Sequence, residues 1–203
     1  GTTTAAVTDK VKTYPRGDAE GAAIKITEVT ADAWTNGEIE VIELTLPKNV
    51  TWDTTNGPIT VTGSAVGDRA LRLNNVGDVN LVDGNGDYAL TNGGRTLTLA
   101  FTVQGNSGNI DSLTITPYIN IGKDAAAGDI AVDLVGQDNV SDESGLVIAV
   151  YGDESVEVTT EEEVPTIVAG YVEDTKDKNF TVSVTLKESM KGSLAANRYV
   201  DFD

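Results

Sequence analysis

Apolar side chains recur at every second position through the middle of the chain. Ile24 and Ile26 alternate with Lys25 and Thr27, and Ile42, Leu44 and Leu46 alternate with Glu43 and Thr45 until Pro47, which cannot donate to a strand ladder. Ile59 and Val61 mark a short strand after the Asn56-Gly57 turn, and "RALRL" (69–73) reads as another. Leu97, Leu99, Phe101 and Val103 alternate with threonines, and 112–121 and 128–136 follow with the same period. Residues 145–152, "GLVIAVYG", are continuously apolar, which predicts a strand covered on both faces. Asp83-Gly84, Asn85-Gly86 and Asn92-Gly93 suit turn positions that need φ > 0. Helical periodicity is lacking, and 122–128 has room for one turn at most.

These patterns predict an all-β fold, an Ig-like or Greek-key β-sandwich over residues 22–151. Its expected core contains Ile26, Leu44, Leu46, Leu97, Leu99, Phe101, Ile115, Val132 and Ile148. Residues 1–21 are polar, contain Pro15 and Gly17, and read as an N-terminal arm or linker. Residues 152–165, with three consecutive glutamates, read as an acidic linker ending at Pro165.

The segment 166–203 begins a second pattern. "VTLKESMKGSLAANRYVDFD" (184–203) parallels "IKITEVTADAWTNGEIEVIELTLP" (24–47): a strand leading into Glu188 or Glu28, a short loop with one apolar anchor (Leu194 or Trp34), an Asn, then a second strand. Val200 and Phe202 then match Ile42 and Leu44. The segment therefore reads as the first strands of a second β-domain, too small to fold alone, or as a strand-exchange segment. An unpaired edge recruits another strand. Val200 and Phe202 at one end, and Val7, Val11 and Tyr14 at the other, are the expected assembly residues of a head-to-tail homopolymer. The alternative is completion of the second domain in cis.

The composition narrows the partners. Lys and Arg number 14 against 32 Asp and Glu, a formal charge of −18, which repels nucleic acid and anionic membrane surfaces. No apolar run is long enough to insert in a membrane as a helix. Without Cys or His there is no disulfide, no thiolate zinc site and no Ser-His-Asp triad. No cofactor is implied except calcium. "DGNGD" places Asp83, Asn85 and Asp87 at positions 1, 3 and 5 of a calcium loop, but Tyr88 and Gly94 stand where that loop needs Gly and Glu. A glycine-rich hairpin turn explains the same residues. Asn49, Asn139 and Asn179 fall in glycosylation sequons frequent by chance in such a chain. Trp34 and Trp52 are expected in the core rather than on a sugar-binding face.

Three stretches resemble repeated β-domains of large surface proteins of anaerobic Gram-positive bacteria. They are "LTLPKNVTW" (44–52), "NGGRTLTLAFTV" (92–103) and "AAAGDIAVDLVG" (125–136). Such proteins are surface-layer-like, or carry a copper amine oxidase N-terminal-like module. The resemblance covers roughly residues 22–150, with 171–203 as a partial second copy. It implies an extracellular envelope or filament protein and not a copper enzyme, since no His is present. The resulting expectation is a non-enzymatic structural subunit of an extracellular filament or surface layer, joined by β-strand addition. The alternative is a cell-surface adhesin or carbohydrate-binding module that meets cell-wall glycan. A hydrolase is the least favoured class, because no acid–base pair can be named.

Overall fold

Alternating side chains become paired strands in the computed structural model, which describes residues 1–68, 72–73, 80–81, 88–152, 156–160 and 183–189. The chain divides into two compact units, Gly1–Gly152 and Asp153–Asp203. The first begins with β1 (Thr3–Val7), β2 (Thr13–Tyr14), β3 (Gly17–Glu20), β4 (Ile24–Glu28) and β5 (Ile39–Thr45). It continues with β6 (Val50–Trp52), β7 (Ile59–Thr62), a single helical turn α1 (Ser64–Asp68), β8 (Arg72–Leu73) and β9 (Asn80–Leu81). The last strands are β10 (Tyr88–Thr91), β11 (Thr96–Thr102), β12 (Ser112–Thr116), β13 (Tyr118–Ile121), β14 (Gly128–Gly136) and β15 (Glu143–Tyr151). In the second unit β16 (Val156–Thr160) pairs antiparallel with β17 (Val184–Glu188).

The first unit is an all-β sandwich. One layer runs β1-β4-β12-β7-β9, extended by the smaller sheet β3-β13-β6. The other runs β10-β11-β5-β14-β15-β2, with β8 also on β11. The two parts of the first layer are continuations of the same chain segments, since β3 leads into β4, β12 into β13 and β6 into β7. The bend between them falls at Gly21 and Pro117. Pro117 has no N–H, so the ladder breaks there. The Gly21 N–H donates to the Pro117 carbonyl at 3.0 Å. A Cβ on Gly21 would stand 3.1 Å from the Pro117 Cβ and 3.2 Å from Ile148 Cδ1.

The inward faces share one core. Ile24, Ile26, Ile59, Val61, Leu113 and Ile115 meet Ile42, Leu44, Leu97, Leu99, Phe101, Val132 and Ile148, all buried. Every expected core residue is inside. Trp34 and Trp52 are also buried. The Trp52 indole N–H donates to the carbonyls of Leu44 and Arg95, both at 3.0 Å, which fastens β6 to the opposite layer.

Two expectations are corrected. Residues 1–21 are not an arm: β1 pairs with β4, β2 with β15 and β3 with β13. The weak pattern there reflects small inward side chains, Thr3, Ala5 and Val7 on β1 and only Ala19 buried on β3. The apolar run 145–152 is not covered on both sides. The register of β15 shifts between Ile130 and Ala131 of its partner, and the bulge brings the successive residues Ile148 and Ala149 inward while Val147 and Val150 stay half-buried. The strand expected over 69–73 is described only at Arg72–Leu73.

Replacing Gly21 by Val should overpack the corner and cost about 1–3 kcal/mol. Urea unfolding is expected to show a lower midpoint with an unchanged slope. An unchanged midpoint would mean that the corner has slack.

Candidate interaction sites

Three buried carboxylates continue the apolar rows by one step. Glu28 follows Ile24 and Ile26, Glu40 precedes Ile42 and Leu44, and Asp111 precedes Leu113 and Ile115. Each lies at the end of its row, where a loop must close over the core. Buried backbone N–H groups in such loops need acceptors, and a carboxylate offers two oxygens.

Glu28 takes the Trp34 N–H on Oε1 at 2.8 Å and the Asp111 N–H on Oε2 at 2.9 Å. Asp111 Oδ2 in turn accepts the Ser107 hydroxyl at 2.5 Å, and Asp32 Oδ1 accepts the Ser107 N–H at 3.0 Å. These bonds hold the 29–38 and 104–111 loops together. Glu40, fully buried, takes the Asn139 N–H and side-chain amide, both at 2.9 Å, and Glu38 takes the same amide at 3.0 Å. The Asn139 side chain is thus engaged, as is that of Asn49, whose amide donates to the Asp124 carbonyl at 2.7 Å. Val29, Ile39 and Ile110 lie exposed on or beside the two loops joined through Glu28.

A third acidic group lies on β3-β13-β6 and the turn after it. Asp53 Oδ1 accepts the N–H groups of Thr55 at 2.8 Å and Asn56 at 3.0 Å, and Oδ2 accepts the Asn56 amide at 2.8 Å. Burial opposes its ionisation, but these bonds, with the neighbouring Asp18, outweigh it and hold the carboxyl below its usual range. Tyr118 is raised by burial and then by Asp18, Asp53 and Glu20. Tyr14 is raised by burial and then by Glu20. A cleft of about 170 Å³ lies beside Tyr14, lined by Asp9, Lys10, Lys12, Glu20, Gly21 and Ala22.

Of the expected assembly residues, the structure describes Val7, Val11 and Tyr14. Val7 pairs with Ile24 and packs on the core, and Tyr14 packs there too, its hydroxyl donating to the Glu20 carbonyl at 2.5 Å. Val11 is half-buried in the loop between β1 and β2. The N-terminal residues are therefore committed within their own sandwich. Val200 and Phe202 lie outside the described residues, as do Asp83, Asn85 and Asp87. Among the described residues no group of three or more acidic, His or Cys side chains is placed to hold a metal. The three in-phase carboxylates were missed in the sequence. Their phase with the aliphatic rows was the available signal.

No family model matches the chain, the surface-layer-like and amine-oxidase-like modules included, and no curated protein matches it. Solved structures resemble it. The pilus backbone protein RrgB of Streptococcus pneumoniae is 18% identical, with a TM-score of 0.38, over 63% of this chain and 26% of that one. The major pilin subunit BcpA of Bacillus cereus is 10% identical, with a TM-score of 0.47, over 78% and 42%. The collagen-binding domain of a Staphylococcus aureus adhesin is 10% identical, with a TM-score of 0.35, over 68% and 97%. The chain thus spans about a quarter of the RrgB structure and about two fifths of the BcpA structure.

The lowered Asp53 pKa has a definite sign. Its contribution to stability is present above its unfolded value and is lost as pH falls through the folded one. Asp53→Asn should be less stable by about 1 kcal/mol at neutral pH. The difference should close as pH drops below the ordinary carboxylate range. Melting curves taken between neutral and strongly acidic pH check this, and parallel curves would contradict it.

Proposed function

We propose that the chain is a non-enzymatic structural module of an extracellular cell-surface protein. The observation that carries this reading is the use made of its buried carboxylates. Glu28, Glu40 and Asp53 each accept backbone N–H groups and tie loops to the sandwich. They act as fasteners, where a hydrolase needs a pair aimed at a common substrate. Burial of Trp34 and Trp52 favours the structural reading over a carbohydrate-binding one, since a sugar platform needs aromatic faces open to solvent. A net charge of −18 suits a repulsive, soluble outer surface.

The finer reading is a homopolymer joined head to tail, and its support is the sequence parallel between 24–47 and 184–203. Donation of a strand by the N-terminal segment is dropped, because that segment already fills a place in its own sheet. Val184–Glu188 is likewise paired, with β16, so within 184–203 the donor in this proposal is the stretch that holds Val200 and Phe202, entering the sheet of the next copy by main-chain pairing.

Protease applied to intact cells should release peptides of this chain, and antibodies should label the envelope. Recovery in the cytosolic fraction alone would sink the surface reading. Deleting 184–203 should abolish polymers seen by electron microscopy while leaving the near-UV spectrum of the sandwich intact. Polymers that survive the deletion would rule out strand addition by this segment.

A further inference from the structure

The path of residues 1–14 has a mechanical consequence. This segment runs alongside residues 139–152 in the same direction. At one end the Thr2 hydroxyl donates to the Asn139 carbonyl at 2.5 Å. Beside it, the Ser141 N–H donates to Thr3 Oγ1 at 2.9 Å and the Thr3 N–H to Ser141 Oγ at 3.2 Å. At the other end β2 lies parallel to β15, with the Val150 N–H on the Lys12 carbonyl at 2.9 Å and the Gly152 N–H on the Tyr14 carbonyl at 3.0 Å. The chain therefore enters the first unit beside Ser141 and leaves it after Tyr151. Ten residues of strand separate these points, roughly 30 Å.

We propose that the first unit is a tension-bearing module, and that residues 1–14 form its shear clamp. Its biological setting rests on the surface-module reading, whereas the mechanical property does not. Tension between residue 1 and residue 152 acts along the strands. Ladder hydrogen bonds lie across an antiparallel pair, perpendicular to that pull. The β1–β4 ladder, registered from Thr3↔Glu28 to Val7↔Ile24, is loaded all at once instead of being opened bond by bond. Flanking bonds extend it, from the Val29 N–H to the Thr2 carbonyl at 2.9 Å and from the Thr8 N–H to the Ala23 carbonyl at 3.0 Å.

The loop between β1 and β2 gives little slack. The Ala23 N–H donates to Asp9 Oδ2 at 3.3 Å, so Ala23 grips the loop through both its carbonyl and its N–H. Side chains add to the resistance. Ala5, Val7 and Tyr14 pack on the core and must enter water before the segment slides. At the exit, β15 is registered against β14 from Gly128↔Tyr151 to Leu134↔Glu143, and the Ala22 N–H on the Ile148 carbonyl at 2.8 Å joins it to the opposite layer. The chain enters through a strand of one layer and leaves through a strand of the other, so tension must shear an edge to extend the unit.

The test compares two directions of pull on the same fold. The chain has no cysteine, so introduced thiols define the attachment points uniquely. In the full chain, one variant carries a cysteine added ahead of Gly1 together with Gly152→Cys. The other carries the added cysteine with Val29→Cys, an exposed position next to Thr2. The second geometry peels β1 from β4 one pair at a time. Melting temperatures equal to that of the parent chain establish that both variants are folded. In single-molecule pulling, the 1–152 geometry should rupture at a force at least about twice that of the 1–29 geometry. It should then release roughly 500 Å of chain, the contour of one sandwich less its folded length. Rupture at an equal or lower force would overturn the clamp. A cytosolic location with a high rupture force would sink the surface reading and leave the clamp standing.

Discussion

Two sheets of alternating side chains each have one dry face, and each face can be covered only by the other. Burying an Ile, Leu or Phe side chain contributes about 1.5–3 kcal/mol, and such residues form the larger part of the core, with Val, Ala and Trp filling the rest. The remaining architecture follows from closing that gap. The first layer bends at Gly21 and Pro117 so that β3, β13 and β6 stay on the core, where Ala19, Ile119, Ile121 and Val50 complete it. The Trp52 indole fills space and satisfies its own N–H across the layers. At the ends of the rows the dry face meets loops, whose backbone donors must be satisfied without water. In-phase carboxylates meet that need.

The same closure explains the N-terminal segment. In the layer containing β4 the outermost strand is β1, and beside β15 in the other layer it is β2. Residues 1–14 thus form the end strand on one side of each layer, first as β1 on β4 and then as β2 on β15, so one short segment contacts both layers. That bridging position ties the first residues of the sandwich to its last strand.

Much of this was legible in the sequence. Ile26, Leu97, Leu99 and Phe101 are where the period-2 pattern places them, because strong alternation of large aliphatic and polar residues allows only one register. The N-terminal strands were not legible. Thr3 and Ala5 are too small and too weakly apolar to mark a face, and a two-residue strand such as β2 has no period at all. The β15 bulge was hidden because an uninterrupted apolar run is equally consistent with two buried faces or with a register shift. The carboxylates share the phase of the aliphatic rows, but an acidic residue at a strand end ordinarily meets solvent, and only the loop closing over Glu28 or Glu40 turns it inward.

Residues 2–8 are an integral strand of the sandwich. Native-state hydrogen exchange resolved at single amides tests it most directly. Bonds at Thr2–Val29 and Thr8–Ala23 fix the phase of the ladder, so the amides of Thr4, Ala6 and Thr8 donate into β4 while those of Ala5 and Val7 point away from it. Slow exchange is expected at Thr4, Ala6 and Thr8, approaching that of β4 itself, and faster exchange at Ala5 and Val7. Uniformly fast exchange from Thr2 to Thr8 would show a free arm and contradict it.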